Sequence, residues 1–240
     1  MKTILVTGVS KGLGAIIAKN LLELGYKVIG LARTKTNIVD SLITEYPDSF
    51  NFLNFDLSKP DTTETLLKND IFKGIAIHGF INNAAIAYDD LITNAKVEPL
   101  TNMFQVNVLS PIMLTRQVLR NMLLHRTKGS IIHISSISVH TGYKGLSMYA
   151  ATKGAIEAFS KNTAREWGEL GIKSNAIVAG FMETEMSSSL TKDQKSRIYM
   201  RTSLKVPTEP FSVASTIRFL LSDDASSITG QNIFVDSGTI

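Results

Sequence analysis

The chain has 240 residues, of which 44% are hydrophobic, and carries a formal net charge of +4. This length allows one large α/β domain or two small ones. The sequence has no cysteine, which excludes disulfides, thiolate nucleophiles and cysteine metal sites and favours a cytoplasmic location. No stretch approaches the length of a membrane span and the basic residues form no nucleic-acid motif, so we expect neither a membrane nor a nucleic acid as a partner.

Short β-branched segments alternate with longer segments of helical periodicity along the chain. Strands are predicted at 2–7, 27–32, 50–55, 75–82, 130–135, 173–178 and 232–236, and helices at 13–24, 98–124, 148–170 and 211–221, with one more helix ending near Pro47. Strands that alternate with helices form right-handed crossovers and a parallel sheet covered on both faces. We therefore predict a single doubly wound α/β domain of the Rossmann type over residues 1–240, with a seven-stranded, mostly parallel sheet.

Residues 181–206 interrupt this alternation before the last helix, with a run of three serines at 187–189 and many charged residues. An insertion beside the carboxyl ends of the strands is typical of a lid over a ligand site. We expect this segment to be the substrate lid.

A glycine-rich segment, Thr7 to Gly14, follows the first strand and opens the first helix. The first glycine permits a tight turn, the second lets the backbone approach a pyrophosphate, and the third lets the helix pack close to the strand. The helix N-terminus then faces the phosphates of a dinucleotide. An ordinary glycine-rich turn is the alternative. The residues predicted to contact the cofactor here are Gly8, Ser10, Lys11, Gly12, Leu13 and Gly14.

The tip of the second strand carries Arg33 and Thr34 and has no acidic residue. An enzyme that selects NAD usually places Asp or Glu there to hold the ribose 2′-hydroxyl. Two cations, Arg33 and Lys11, suit a 2′-phosphate instead. We therefore predict NADPH/NADP⁺ as the cofactor, and a solvated role for both cations is the alternative.

Two further strand ends carry candidate cofactor contacts. Asp56 and Leu57 close the third strand, and Asn83, Ala84 and Ala85 close the fourth. Both ends lie at the carboxyl edge of a doubly wound sheet, where ligands bind. Asp56 is expected near the adenine and Asn83 with Ala84 near the ribose, although Asp56 also suits the N-cap of a helix.

Tyr149 and Lys153 are four residues apart on a predicted helix, and Ser136 lies thirteen residues before Tyr149. Residues four apart share one helix face, and a nearby ammonium lowers the pKa of a phenol from about 10. A serine hydroxyl nearby can polarise a substrate carbonyl. The trio indicates carbonyl/alcohol redox chemistry, and a surface Tyr–Lys pair is the alternative.

These segments together resemble the short-chain dehydrogenase/reductase family, from Thr3 to Gly238. The resemblance rests on the glycine motif, Asp56, Asn82-Asn83-Ala84, Asn107, Ser136, Tyr149, Lys153 and Thr229-Gly230-Gln231. It implies that Tyr149 is the general acid in reduction and the base in oxidation, and that Lys153 binds the nicotinamide ribose and lowers the pKa of Tyr149.

The same resemblance assigns roles to other positions. Ser136 is implied to bind the substrate carbonyl, with Ser135 a weaker candidate, and Asn107 to interrupt the fourth helix and hold a water that relays protons to Lys153. The nicotinamide pocket is implied to include Val178, Gly180, Met182 and Thr184. Two departures from the family pattern are Ala179 in place of proline and Ala85 in place of glycine.

The segments 180–186 and 229–238 are similar to those of bacterial 3-oxoacyl-acyl-carrier-protein reductases, which implies a 3-oxoacyl thioester as substrate. Leu170 stands where those enzymes often have a basic residue, and Arg126 and Lys128 are candidates to compensate. A reductase for a sugar, polyol or small ketone is the alternative. A non-catalytic NADP-binding sensor or structural protein is an alternative of another class.

The family usually forms homotetramers or homodimers, which implies an interface through the helices at about 98–124 and 148–170. An apolar surface on the second of these helices favours an interface, with core packing as the alternative. The residues concerned are Ala150, Ala151, Ala155, Ala158 and Phe159. No metal is predicted, because His78, His125, His133 and His140 have no metal-ligand spacing, and we expect structural or surface roles for them.

Overall fold

The computed structural model describes residues 1–184 and 190–240, and within these residues seven β-strands form one sheet. The strands are β1 (Thr3–Thr7), β2 (Lys27–Ala32), β3 (Phe50–Asn54), β4 (Ile77–Asn82), β5 (Gly129–Ser136), β6 (Ile172–Ala179) and β7 (Asn232–Val235). Their order across the sheet is β3-β2-β1-β4-β5-β6-β7, and all six neighbouring pairs are parallel. The predicted doubly wound fold is confirmed.

Helices cover both faces of this sheet. They are α1 (Gly12–Glu23), α2 (Asn37–Glu45), α3 (Val97–Phe104), α4 (Ser110–His125), α5 (Ser147–Trp167), α6 (Lys192–Arg201) and α7 (Pro210–Leu221). Short 3₁₀ segments lie at Pro60–Lys68, Asp70–Phe72, Ile92–Asn94, Ile137–Val139, Gly168–Leu170 and Asp223–Ala225. Among the helices of the described residues, none is long and apolar enough to cross a bilayer.

Alternate residues of the strands enter two separate hydrophobic cores. Ile4 and Val6 of β1 pack with α1 and α7 on one face, whereas Leu5 packs with α4 on the other. Successive side chains of a strand point to opposite faces, so a strand covered on both sides needs apolar residues throughout. This explains why the predicted strands are continuous apolar runs, and why their observed ends differ from the predicted ones by two residues or fewer.

The predicted helix at about 98–124 is divided. A π-helical turn at Gln105–Leu109 separates α3 from α4. Such turns are rare and occur frequently at functional sites. The turn contains Asn107, in agreement with the interruption implied by the family resemblance.

Several helical segments of the described chain were not predicted from the sequence, and the two longest are Pro60–Lys68 and α6. The 3₁₀ helix Pro60–Lys68 connects β3 to β4, and only Thr63 and Leu66 of it are buried, so its sequence has no clear apolar periodicity. The helix α6 lies within the predicted lid and has no buried residue, but a capping box begins it. The Thr191 hydroxyl accepts from the Gln194 amide at 3.3 Å, and the Thr191 amide donates back to Gln194 Oε1 at 2.8 Å.

The predicted lid at 181–206 is described except for residues 185–189, which lie outside the described residues. The base of the lid is closed by a backbone hydrogen bond of 2.8 Å from the Thr208 amide to the Phe181 carbonyl. Its far end is tied to the C-terminal segment, because the Ser203 amide donates to the Gly238 carbonyl at 2.8 Å. The role of this segment as a lid stays a prediction.

Candidate active site

The glycine segment forms a tight connection between β1 and α1 at the carboxyl edge of the sheet. A Cβ on Gly14 would lie 2.0 Å from the Gly8 carbonyl oxygen, so only glycine permits this approach of helix to strand. By contrast, a Cβ on Gly12 would meet no heavy atom within 4 Å, so the loop leaves open space at the N-terminus of α1. The geometry fits the pyrophosphate of a dinucleotide bound by the first turn of α1.

Thr7 joins the two strands where the sheet order reverses. Its buried hydroxyl accepts hydrogen bonds of 3.0 Å from the backbone amides of Asn83 and Ala84. The Asn83 side-chain amide donates in turn to the Thr7 carbonyl at 2.9 Å. Thr7 therefore fixes the end of β4 against the glycine loop. The sequence did not predict this role, because Thr7 stands there only as the first residue of the glycine-rich segment.

The tips of β2 and β3 place Arg33, Thr34 and Asp56 together beside this crevice. The Asn54 side chain donates to the Arg33 carbonyl at 2.7 Å, and the Asp56 carboxylate accepts from the Ser58 amide at 3.0 Å. This amide lowers the pKa of Asp56 most, with smaller contributions from the charges of Arg33 and Lys59. Asp56 thus caps the turn at Ser58 and faces cationic side chains. The alternative prediction of a helix N-cap is wrong, because the N-cap residue of the following helix is Lys59.

Lys153 and Tyr149 lie on α5, which packs against β5 and β6. The Lys153 ammonium is buried, donates to the Ile134 carbonyl at 2.8 Å and lies 5.6 Å from the centroid of the Tyr149 ring. Ser136 ends β5, and its hydroxyl accepts from the Ser138 amide at 3.2 Å. The helix and the strand end therefore bring the predicted trio to the same edge of the sheet.

The pKa values of these groups correct one prediction. Burial raises the pKa of Tyr149, and the negative charge of Asp89 on the loop after β4 raises it further. The expected lowering by Lys153 does not prevail, because burial is the largest influence on the pKa of Tyr149. Burial also lowers the pKa of Lys153, from 10.5 to about 8. In the chain itself, Tyr149 is therefore a neutral hydroxyl at neutral pH.

Asn107 connects the π-helical turn to the loop after β4 and to α5. Its side-chain oxygen accepts from the Ile86 amide at 2.9 Å, and its amide donates to the Ile86 carbonyl at 2.8 Å and to the Thr152 hydroxyl at 3.1 Å. The Thr152 hydroxyl donates to the Tyr149 carbonyl at 2.7 Å. The side chain thus holds the first turn of α5, and the predicted water relay remains a prediction.

The two serines at the end of β5 have different partners. The buried Ser135 hydroxyl donates to the Glu157 carboxylate inside the protein, whereas Ser136 is partly exposed. This geometry favours Ser136 as the group that meets a substrate. Glu157 was not singled out from the sequence, because a glutamate on a helix is normally solvated.

The segment after β6 carries the predicted nicotinamide contacts. Val178 is fully buried, and a Cβ on Gly180 would lie 2.2 Å from the Thr208 hydroxyl and 2.6 Å from the Asp236 Cα. Glycine is therefore required at position 180. The preceding residue is Ala179, where the family usually has proline. Met182 is partly buried against the core that includes α1, and Thr184 follows at the last described residue before the gap.

The helix α6 is attached to this segment through Glu183. The Tyr199 hydroxyl donates to the Glu183 carboxylate, and the Lys195 ammonium lies 3.4 Å from it. The rings of Phe181 and Tyr199 also meet, with centroids 6.0 Å apart. A movement of α6 therefore reaches the residues on either side of Met182.

His133 lies in β5, as expected, and is fully buried below the candidate site. Its Nδ1 is 3.2 Å from the Asn82 side-chain amide, and its ring meets Phe80 and Phe159 edge-on. Burial and the nearby Lys153 charge lower its pKa to about 3, so the ring is neutral. The role is structural.

The arrangement defines a nicotinamide-dependent oxidoreductase of the Rossmann class, and comparisons with known proteins agree. A family model described as Enoyl-(Acyl carrier protein) reductase matches residues 8–239. The 3-oxoacyl-[acyl-carrier-protein] reductase FabG of Vibrio cholerae is 34% identical over 239 residues, which are 99% of this chain and 96% of that protein. The Escherichia coli protein of the same name is 33% identical over 237 residues, with the same coverage of 99% and 96%.

Solved structures give the same result. A 4-hydroxyisoleucine dehydrogenase complexed with NADH superposes with a TM-score of 0.94 at 28% identity, covering 100% of this chain and 98% of that chain. ElxO with NADP bound superposes with a TM-score of 0.90 at 27% identity, covering 99% and 98%. The chain belongs to the short-chain dehydrogenase/reductase family and is an oxidoreductase that acts on CH–OH or C=O groups with a nicotinamide cofactor.

Proposed function

We propose that the protein is an NADPH-dependent reductase of a 3-oxoacyl thioester. The observation that carries this proposal is the similarity to 3-oxoacyl-[acyl-carrier-protein] reductases over 99% of the chain. The positions of Ser136, Tyr149 and Lys153 at one edge of the sheet supply the groups that carbonyl reduction needs.

Each of these side chains has a separate task in the proposed reaction. The Ser136 hydroxyl binds the substrate carbonyl oxygen and stabilises the charge that develops on it. The Tyr149 hydroxyl donates the proton to that oxygen, and its raised pKa keeps it in the neutral form that reduction requires. Lys153 binds the nicotinamide ribose, and a bound nicotinamide supplies the hydride when reduced.

The preference for NADPH is supported by charge at the tip of β2. Arg33 and Thr34 follow β2 and are exposed, Lys11 lies in the glycine loop, and the strand tip carries no acidic residue. A guanidinium that binds a phosphate forms a charge-assisted hydrogen bond of about 1.5–3 kcal/mol, or roughly 10–100-fold in affinity.

The cofactor proposal is tested by measuring kcat/KM with NADPH and with NADH for Arg33→Asp. We expect the preference for NADPH to fall by about 10–100-fold in this variant and to stay unchanged in Lys19→Asp, a charge reversal on the exposed side of α1. Equal use of both cofactors by the unaltered protein would refute the assignment.

The substrate proposal is tested by following cofactor oxidation with acetoacetyl thioesters, a 3-oxoacyl carrier protein and a panel of simple ketones and sugars. We expect the thioesters to have the highest kcat/KM. Activity on non-thioester carbonyls alone would refute this substrate. Tyr149→Phe is the matched control, and it should lose turnover by at least about 100-fold while binding NADPH normally.

A carrier protein as partner is supported by Lys128. A Cβ on Gly171 would lie 2.9 Å from Cγ and Cδ of Lys128, so this side chain lies across Gly171, next to exposed Leu170. A lysine thus reaches the place where related enzymes have a basic residue, and exposed Arg126 lies two residues away. We expect Lys128→Glu to lower kcat/KM for the carrier-bound substrate and not for a small thioester.

An oligomer is part of this proposal. Lys128 precedes β5, whereas Ser136 ends the strand roughly 23 Å from its first residue, Gly129, at 3.3 Å per residue. A carrier docked at Lys128 would have to reach across this distance within one chain, and an oligomer offers the active site of a neighbouring subunit instead. Ala151 and Ala158 on α5 are exposed, so core packing does not account for them and they suit a homotetramer or homodimer interface through α4 and α5. Light scattering after size exclusion measures the assembly.

Two other functions remain as outcomes of these assays. Reduction of another carbonyl or oxidation of another alcohol, such as a sugar, polyol or small ketone, is favoured by Leu170 and by the structural similarity to 4-hydroxyisoleucine dehydrogenase. A non-catalytic NADP-binding sensor is disfavoured by the presence of Asn107, Ser136, Tyr149 and Lys153 together. A cytoplasmic location is proposed on the absence of cysteine.

A further inference from the structure

Glu157 is a buried carboxylate that the proposed reaction does not use. It lies on α5, and only 6% of its surface is exposed. One oxygen accepts from the Ser135 hydroxyl, and the other accepts from the Asn232 amide at 2.6 Å and lies 2.9 Å from His140 Nε2. A carboxylate is placed in a protein interior only when it is well hydrogen-bonded, and this one has three partners.

The three partners come from separate parts of the fold. Ser135 is the second-last residue of β5, His140 follows the 3₁₀ turn Ile137–Val139, and Asn232 begins β7. Ser136 lies between the first two of them. Both sides of the candidate substrate-binding serine are therefore tied to the same carboxylate.

The carboxylate also belongs to the helix that carries the other reacting groups. Glu157 lies one helical turn after Lys153 and two turns after Tyr149 on α5. A rigid helix therefore joins the Tyr149 hydroxyl to the carboxylate, and the carboxylate joins the helix to the segment around Ser136. The edge of the His140 ring rests on Phe234 of β7, with centroids 4.8 Å apart, which limits movement on the exposed side.

We propose that Glu157 is a positioning residue, whose carboxylate sets the distance between the Ser136 and Tyr149 hydroxyls by binding Ser135, His140 and Asn232. The proposal rests on the catalytic roles proposed above for Ser136 and Tyr149, but not on the identity of the substrate. Without the carboxylate, the segment 135–140 loses its link to α5, while the glycine loop and Thr7 keep their contacts. Turnover should fall and cofactor binding should not.

The test compares Glu157→Ala and Glu157→Gln with Ser160→Ala as a matched control. Ser160 lies on the same helix and makes a buried hydrogen bond of 2.9 Å to Ser174 of β6, but it contacts no residue of the segment 135–140 in the described hydrogen bonds. Loss of this bond should affect stability alone. Glutamine should largely rescue, because its oxygen can accept from His140 and Asn232 while its amide donates to the Ser135 hydroxyl.

For Glu157→Ala we expect kcat to fall by about 100-fold, because a misplacement of the reacting groups by about 1 Å has an effect of this size. The substrate for this measurement is the carbonyl compound that the unaltered protein reduces best. Glu157→Gln should lose less than about tenfold, and Ser160→Ala should keep full kcat. The Kd of the reduced cofactor, measured by energy transfer from the only tryptophan, Trp167, should stay within about twofold in all three.

A second measurement is independent of turnover and separates this proposal from the proposed function. Hydrogen exchange should become faster in peptides that cover 135–140 of Glu157→Ala, and not in peptides that cover the glycine loop. If Glu157→Ala does not fold, His140→Ala is the second variant, because it removes one partner of Glu157 at a partly exposed position. It should show a smaller fall in kcat and a smaller increase in the exchange rate of 135–140. Unchanged exchange in 135–140, unchanged kcat in the folded variant, or joint loss of turnover and cofactor binding would overturn the proposal.

Discussion

Replacing Lys153 with methionine should abolish turnover and at the same time stabilise the protein. The ammonium is buried beneath the candidate site, and burial lowers its pKa from 10.5 to about 8. A lowered lysine pKa means that the folded state disfavours the charged form, so the charge opposes folding. Methionine fills a similar volume without a charge.

The size of the effect follows from the pKa. The fall from 10.5 to about 8 corresponds to about 3 kcal/mol, at about 1.4 kcal/mol for each tenfold change in acidity constant. The variant also loses the hydrogen bond from Lys153 to the Ile134 carbonyl, which offsets about 1 kcal/mol. The net gain is about 2 kcal/mol at neutral pH, or about 4–8 °C in Tm for a chain of this size.

The pH dependence gives this prediction its sign. Below about pH 8 the lysine is charged in both the folded and unfolded states, so the full penalty acts on the unaltered protein. The penalty fades as the pH rises from about 8 toward 10.5 and is absent above that, because the lysine is then neutral in both states. At about pH 9.5 the penalty has fallen to about 1 kcal/mol, which leaves almost no net gain for methionine.

The assay is thermal and urea unfolding of both proteins at about pH 7 and about pH 9.5, followed by circular dichroism. The stability difference should be largest at the lower pH and nearly vanish at the higher one. A variant that is less stable at about pH 7, or a difference that does not change with pH, would show that Lys153 is not a strained charge in the folded protein.

Three substitutions test other parts of the molecule. Gly14→Ala places a Cβ 2.0 Å from the Gly8 carbonyl and should weaken cofactor binding and cost about 1–3 kcal/mol, measured by titration and urea unfolding. Gly168→Ala, at helical φ with no atom within 4 Å of the new Cβ, should instead stabilise by about 0.4–1 kcal/mol with unchanged kcat. Asn107→Leu leaves the Ile86 amide and carbonyl without their side-chain partner and should lower the free energy of unfolding by about 2–4 kcal/mol. A loss below about 1 kcal/mol would contradict a stabilising role for these two hydrogen bonds.

The sheet was predictable because its strands are buried on both faces. A segment such as Ile4 to Val6 must be apolar at every position, and that requirement leaves a signal in the sequence. The glycine loop, Asp56 and Asn83 were predictable as site residues for a related reason. They follow such strands directly, and the carboxyl ends of parallel strands share one edge.

The elements that were missed have weak or misleading local signals. The 3₁₀ helix Pro60–Lys68 buries only two residues, and α6 buries none, so neither has an apolar period. The raised pKa of Tyr149 was missed for another reason: the spacing to Lys153 gives the sign of the Coulomb interaction but not the depth of burial, and burial dominates here.

The placement of charges on α5 indicates what fixes the geometry of the site. Lys153 and Glu157 are one turn apart on the buried face of the helix, yet each bonds to β5, through the Ile134 carbonyl and the Ser135 hydroxyl. Apolar packing alone tolerates small shifts of a helix along a strand, whereas two hydrogen bonds to adjacent residues accept one register. On this interpretation, the two hydrogen bonds keep Ser136 and Tyr149 at a fixed separation, and the protein tolerates the cost of burying both charged groups for that reason. Lys153→Met should therefore loosen the separation between Ser136 and Tyr149 even as the fold becomes more stable.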